Sequence, residues 1–250
     1  MIPSRGAAFV TGGSRGIGAD TCVGLARAGF DVAFSYRNKA ARAAEIAGAI
    51  TAAGAAALPL RCDITVAADI ARAAERLRAL TSPLRLLVLN ASGGLERDLL
   101  ATDPEYPMHV NRDAQLAVLE AVVPLLELGA TVVFVTSHWA HLYGRVPQLP
   151  QYEPIARSKH AGETALRQRV PALGLRLLVV TGDLVEGTIT AKLLERMDPG
   201  VRALRTSATH PLPSTGEMAG ALLAVVGTIA ATLARAGSNV VSSVLNAIGH

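Results

Sequence analysis

From Ala7 onward, short apolar runs bounded by turn residues give way, one after another, to longer alanine-rich stretches. A strand followed by a helix and then by another strand of the same sheet needs a crossover connection. A succession of such units therefore closes as a mainly parallel sheet with helices on both faces. The pattern predicts strands over residues 7–10, 32–36, 57–61, 84–89, 131–136 and 175–180, with a last one near 239–245. Helices are expected over 17–28, 39–53, 67–80, 104–128, 154–170 and 215–234. In sheets of this kind ligands sit outside the carboxyl ends of the strands, so chemistry is sought in the residues that follow each strand. No repeat, linker or charge block divides the 250 residues, and a single domain over 1–250 is expected.

Composition excludes several classes. Half of the residues are hydrophobic and 18% are charged, which suits a sheet buried on both faces and not a disordered chain. The net charge of +4 comes from dispersed arginines, with four Phe, four Tyr and one Trp to stack on bases, so no nucleic-acid partner is expected; the excess suits small anionic ligands. Cys22 and Cys62 form neither a CxxC pair nor a disulfide frame and read as reduced thiols of a cytoplasmic protein. The N-terminus lacks signal-peptide anatomy, and the apolar stretch 219–234 is interrupted by Gly and Thr, so no membrane partner is expected. His138 and His141 lack a third ligand nearby, and no metal is expected.

Directly after the first strand comes Thr11-Gly12-Gly13-Ser14-Arg15-Gly16-Ile17-Gly18, followed at once by a helix. Glycines let the backbone turn tightly and approach a pyrophosphate, and the free N–H groups and positive dipole end of the helix receive it. Placed in the first strand-to-helix turn, this triplet predicts dinucleotide binding.

The turn has the T-G-x3-G-x-G spacing of the short-chain dehydrogenase/reductase family, and the resemblance extends over nearly the whole chain. It implies a Rossmann-type, doubly wound, mainly parallel seven-stranded sheet. Cys62-Asp63-Ile64 resembles the family's adenine-contacting segment after the third strand, and Leu89-Asn90-Ala91-Ser92-Gly93-Gly94 resembles its Asn-Asn-Ala-Gly segment after the fourth. Asn111 matches the family's structural asparagine, and the resemblance puts it among the candidate catalytic residues with Ser137, Tyr152 and Lys159. Asp63 also reads as a turn former and Asn111 as an ordinary helix polar residue. The charge at the end of the second strand selects the cofactor: Phe34-Ser35-Tyr36-Arg37-Asn38 offers no acid for a ribose diol but a guanidinium, and Arg15 adds a second. Two such groups suit the 2′-phosphate of NADP(H).

The family's usual pattern puts Tyr four residues before Lys. Here Lys159 has the expected Ser158-Lys159 context, but that position holds Ile155, and the nearby tyrosine is Tyr152, six residues intervening. Seven steps are almost two helical turns, so Tyr152 and Lys159 can project to one side. Against this, Pro154 disfavours helical geometry at Glu153, which leaves open a packing role for Tyr152 on the preceding loop. A Tyr-x6-Lys spacing resembles the enoyl-acyl-carrier-protein reductases of the family. That resemblance implies reduction of the double bond of an enoyl thioester, with Tyr152 hydrogen-bonded to the carbonyl oxygen and Lys159 on the nicotinamide ribose. Ser137, after the fifth strand, lies where the family's catalytic serine does, with capping as the other reading, and Tyr143 reads either as a substrate-binding tyrosine or as a loop anchor. Thr181-Gly182-Asp183-Leu184-Val185-Glu186-Gly187-Thr188 resembles the family's Pro-Gly-x-x-x-Thr segment. Thr188 is then either a cofactor contact or a helix N-cap, and residues 188–214 form a substrate lid. A second reading is a carbonyl reductase or alcohol dehydrogenase in which Tyr152 protonates an alkoxide with Ser137 assisting, and a third is a redox-inactive NADP(H)-binding protein. The resemblance also implies a homodimer or homotetramer, although the chain lacks the usual Asp-Gly-Gly ending.

Overall fold

A computed structural model describes residues 5–200 and 211–236. Its sheet holds six strands: β1 (Ala7–Val10), β2 (Asp31–Tyr36), β3 (Ala57–Arg61), β4 (Leu84–Leu89), β5 (Leu126–Ser137) and β6 (Arg176–Gly182). All pair in parallel, in the order β3-β2-β1-β4-β5-β6. The expected seventh strand near 239–245 lies outside the described residues, as does part of the expected lid.

The strands are largely apolar because both faces are covered, with charged residues such as Arg61, Arg85 and Glu127 at exposed positions. In β1, Ala7 and Phe9 enter one core while Ala8 and Val10 enter the other. The first core is closed by α3 (Ala67–Leu77), α6 (Ala114–Val122) and α8 (Glu153–Ala172), the second by α1 (Gly16–Arg27), α2 (Ala40–Ala52) and α10 (Thr215–Ala236). Helix α3 shows how local pattern meets the sheet: Ile70, Ala73, Ala74 and Leu77 form one buried stripe at helical spacing. Among the described residues no helix is long and apolar enough to cross a membrane.

One element departs from expectation. The single helix anticipated over 104–128 is broken into α5 (Tyr106–Met108), a π-turn (His109–Asp113), α6 and a 3₁₀ turn (Val123–Leu125), and a separate α4 (Arg97–Thr102) precedes them. Pro107 falls in the first turn of α5, where its missing N–H costs nothing, and Pro124 ends the run. Strand β5 then starts at Leu126, earlier than expected, because its register against β4 shifts between Leu84 and Leu86; Gly129, at φ 72°, lies in the residues this irregularity accommodates. The strand order runs outward one way from β1 through β2 to β3 and the other way from β4 to β6, and this switch between β1 and β4 opens the crevice for a ligand at their carboxyl ends.

Candidate active site

The glycine turn is braced from both sides. Thr11 Oγ1 accepts from the backbone N–H groups of Asn90 and Ala91, each at 3.0 Å, and Asn90 Nδ2 donates to the Thr11 carbonyl at 3.0 Å. From β2, Ser35 Oγ accepts from the Gly12 N–H at 3.0 Å. Gly12 (φ 69°) and Gly16 (φ 54°) occupy the left-handed region. A Cβ at Gly18 would strike the Gly12 carbonyl oxygen and lie 2.5 Å from Asn90 Nδ2, whereas one at Gly16 would meet nothing nearer than Thr215 at 3.9 Å. Helix α1 begins with no side-chain cap and no acid in its first turn, so its N–H donors face the crevice unopposed.

That crevice is a cleft of about 410 Å³, and it is lined by every residue expected to hold the dinucleotide: Gly12, Ser14, Arg15, Gly16, Ile17, Gly18, Arg37, Asp63, Ile64, Asn90, Ala91, Ser92, Lys159 and Thr188. Two of them line the cleft and also make the local bonds of their other reading. Asp63 Oδ1 accepts from Thr65 N and Oγ1, shaping the turn, and Thr188 caps α9 (Ile189–Met197) by accepting from Ala191 N at 3.1 Å. Arg37 has a partner the sequence did not announce: its Nη1 donates to Tyr106 Oη at 3.2 Å. Neighbouring Asp63 and Glu96 also favour its charge. Tyr106, Glu96, Ser35, Lys39, Arg42 and Trp139 line the cleft as well and were not anticipated. For Lys39 and Arg42, a basic pair just after β2, the signal was present in the sequence; for Tyr106, distant in sequence from every nucleotide motif, it was not.

At the other end, Pro154 is the second residue of α8, a first-turn position that needs no donor. Tyr152 is thereby not expelled to a loop: it is the N-cap, with helical dihedrals, and its carbonyl accepts from Ile155 N and Ala156 N at 3.0 and 2.9 Å. Its ring is buried against Trp139, the centroids 5.2 Å apart, and its hydroxyl donates to Ser137 Oγ at 3.1 Å. Ser137 Oγ also accepts from Ala140 N at 3.2 Å, capping α7 (His138–His141). With both lone pairs engaged, the serine proton remains to be given to a ligand in the cleft. Burial pushes the Tyr152 phenol up to about 12, the Ser137 bond opposing. Burial alone pushes the Lys159 ammonium down to about 8, and among the described residues it has no hydrogen-bonding or ion-pair partner. Tyr152, Ser137 and Lys159 all line the cleft, whereas Ile155 is packed away from it, its Cγ1 3.2 Å from where a Cβ on Gly94 would stand.

Asn111 does not line the cleft. It sits beneath it in the π-turn, donating to the Gly93 carbonyl and Ser158 Oγ, both at 3.0 Å, and so ties the loop after β4 to the residue before Lys159. Tyr143 is a loop anchor: its hydroxyl donates to Glu153, and it is absent from the cleft lining. His141 pairs with buried Glu163 at 2.9 Å, and among the described residues no cluster suited to a metal exists.

Residues 6–194 match the sequence profile described as short chain dehydrogenase. The chain belongs to the short chain dehydrogenase family. Its relatives include a short chain dehydrogenase/reductase of Aspergillus aculeatus, 26% identical over 73% of this chain and 69% of the relative. A tetrahydroxynaphthalene reductase of Pyricularia oryzae is 28% identical over 64% of this chain, a match that spans 56% of the reductase's length. Among solved structures, a short chain dehydrogenase of Burkholderia cenocepacia in complex with NADP superposes with a TM-score of 0.73 and 28% identity, covering 89% of this chain and 90% of the other. This short chain dehydrogenase therefore shares with its relatives the single-domain α/β fold and the oxidoreductase class.

Proposed function

We propose that the protein is an NADP(H)-dependent carbonyl reductase, running in reverse as an alcohol dehydrogenase. The observation that carries the reading is the 3.1 Å bond between Tyr152 and Ser137 in the cleft that Lys159 also lines. Two hydroxyls and an ammonium converging on one space suit a carbonyl oxygen that gains negative charge.

The residues present fit the dinucleotide. The glycine turn has room at Gly16 and unopposed helical N–H groups for a pyrophosphate, and Arg15 and Arg37 are the cations for a 2′-phosphate. The Burkholderia relative's complex with NADP supports the choice. When bound, the nicotinamide supplies the hydride that reaches the carbonyl carbon. Ser137 orients the carbonyl oxygen through its remaining proton. Tyr152, protonated across the neutral range, turns its one proton from Ser137 Oγ to that oxygen and gives it up as the C–O π bond opens, and the phenolate left behind shares the cleft with the Lys159 ammonium.

The Tyr-x6-Lys spacing favours a second reading, reduction of an enoyl thioester, in which Tyr152 hydrogen-bonds the thioester oxygen while the β-carbon is reduced. NADPH oxidation measured side by side with a 3-ketoacyl thioester, a simple aromatic ketone and a 2-enoyl thioester separates the two. Turnover of the ketones is expected; turnover of the enoyl thioester alone selects the second reading, and tight NADPH binding without turnover of any selects a redox-inactive binding protein.

A further inference from the structure

Arg37 follows β2 and Tyr106 opens α5 beyond β4, while β1 lies between those two strands. The bond from Arg37 Nη1 to Tyr106 Oη thus passes over the carboxyl end of β1, where the glycine turn begins. Both residues line the cleft, together with Asp63 and Ile64 after β3 and Asn90, Ala91 and Ser92 after β4. The anchor is firm: the Tyr106 ring is buried, and its hydroxyl stands 3.4 Å from where a Cβ on Gly93 would be. Glu96 stands beside it, its carboxylate fixed by the N–H groups of Gly94 and Leu95 at 2.7 and 3.1 Å. Arg37 itself is largely exposed and joins this anchor by one hydrogen bond to a neutral acceptor.

We propose that Arg37 and Tyr106, joined by this bond, form a strap across the adenosine end of the cleft, which every dinucleotide must open and for which only a 2′-phosphate compensates. The proposal rests on the NADP(H) reading above. Opening the strap breaks a hydrogen bond and draws the guanidinium away from Asp63 and Glu96, a cost common to NADH and NADPH. A 2′-phosphate then recovers it through charge-assisted, bidentate bonds to Arg37, whereas the 2′-hydroxyl of NADH does not. Tyr106 is in this way a specificity-determining residue: it sets a threshold that the weaker-binding nucleotide meets without return.

Equilibrium binding of NADH and NADPH to the full chain, to Tyr106→Phe, to Arg37→Ala and to the double variant tests this. One hydrogen bond from a guanidinium to a phenol corresponds to at least about tenfold in a dissociation constant. Tyr106→Phe is expected to tighten NADH and NADPH alike by that factor. Arg37→Ala, at an exposed position, is expected to tighten NADH by the same factor while weakening NADPH at least about tenfold. The double variant is expected to bind NADH no tighter than either single variant, because one strap is lost only once. Unchanged or weaker NADH binding by Tyr106→Phe and Arg37→Ala, or additive gains in the double variant, overturns the strap. An unchanged NADPH-to-NADH ratio in Arg37→Ala overturns instead the NADP(H) reading beneath it, and the NADH measurements judge the strap separately.

Discussion

Tyr152 donates to Ser137 across 3.1 Å, although the residue at the position where the family usually carries its tyrosine is Ile155, one turn along the same helix. The helix start explains the exchange: Tyr152, as N-cap, reaches the cleft, while Ile155 packs by Gly94 and Pro107. Restoring the usual spacing with Ile155→Tyr is therefore expected to lower stability by about 1–3 kcal/mol through overpacking. In a Tyr152→Phe background it is expected to recover no activity. Thermal melts and NADPH oxidation by the doubly substituted protein check both outcomes.

Ser137 has spent its lone pairs on Tyr152 and Ala140, so its contribution to a ligand is a proton. Ser137→Ala is expected to lower kcat on the order of 10²-fold, as loss of one donor to a developing oxyanion does, with a smaller change in the affinity for NADPH. Steady-state kinetics with nucleotide titration separate the two effects.

Lys159 sets a pH limit. Its ammonium is held down at about 8 by burial, against an ordinary 10.5, so this cation of the cleft is lost as pH rises through about 8, while Tyr152 at about 12 stays protonated. The kcat/KM for reduction is expected to fall above about pH 8. Stability runs the other way. Between about 8 and 10.5 the unfolded chain retains a proton that the folded chain has released, so this residue's unfavourable contribution, complete below that window, is relieved as pH rises through it. Lys159→Met is expected to abolish the alkaline limb of any residual activity and to raise the melting temperature at neutral pH. A pH–rate profile and melts at pH 7 and 10 are the checks.

Much of this arrangement was legible in the sequence. The bounds of β1, β3 and β4 follow from apolar runs and turn residues, and the cofactor candidates other than Lys159 line one cleft because each follows a strand of a parallel sheet. What escaped depends on contacts distant in sequence. The π-turn at 109–113 accompanies bonds from Asn111 to Gly93 and Ser158, and Arg37 finds Tyr106 across 69 positions. No local periodicity encodes either. Pro154 misled in a different way, because a proline that breaks a helix interior is harmless at its second residue.

The support under the site is expected to be intolerant of added volume. A Cβ on Gly162 of α8 would run into the Asn111 carbonyl oxygen of the π-turn. Gly162→Ala is expected to cost about 1–3 kcal/mol. Asn111→Ala, which leaves the buried Ser158 hydroxyl and the Gly93 backbone short of partners, is expected to cost a similar amount, about 1–3 kcal/mol. Urea denaturation of the two variants measures these losses.

In the proposed reaction the Tyr152 hydroxyl, paired with Ser137, protonates the substrate oxygen. Single-turnover NADPH oxidation by wild-type protein and Tyr152→Phe, with a 3-ketoacyl thioester as substrate and NADPH binding measured in parallel, addresses it directly. The account predicts a rate lower by about 10²–10⁴-fold in the variant with NADPH affinity preserved. Full activity in Tyr152→Phe would contradict it.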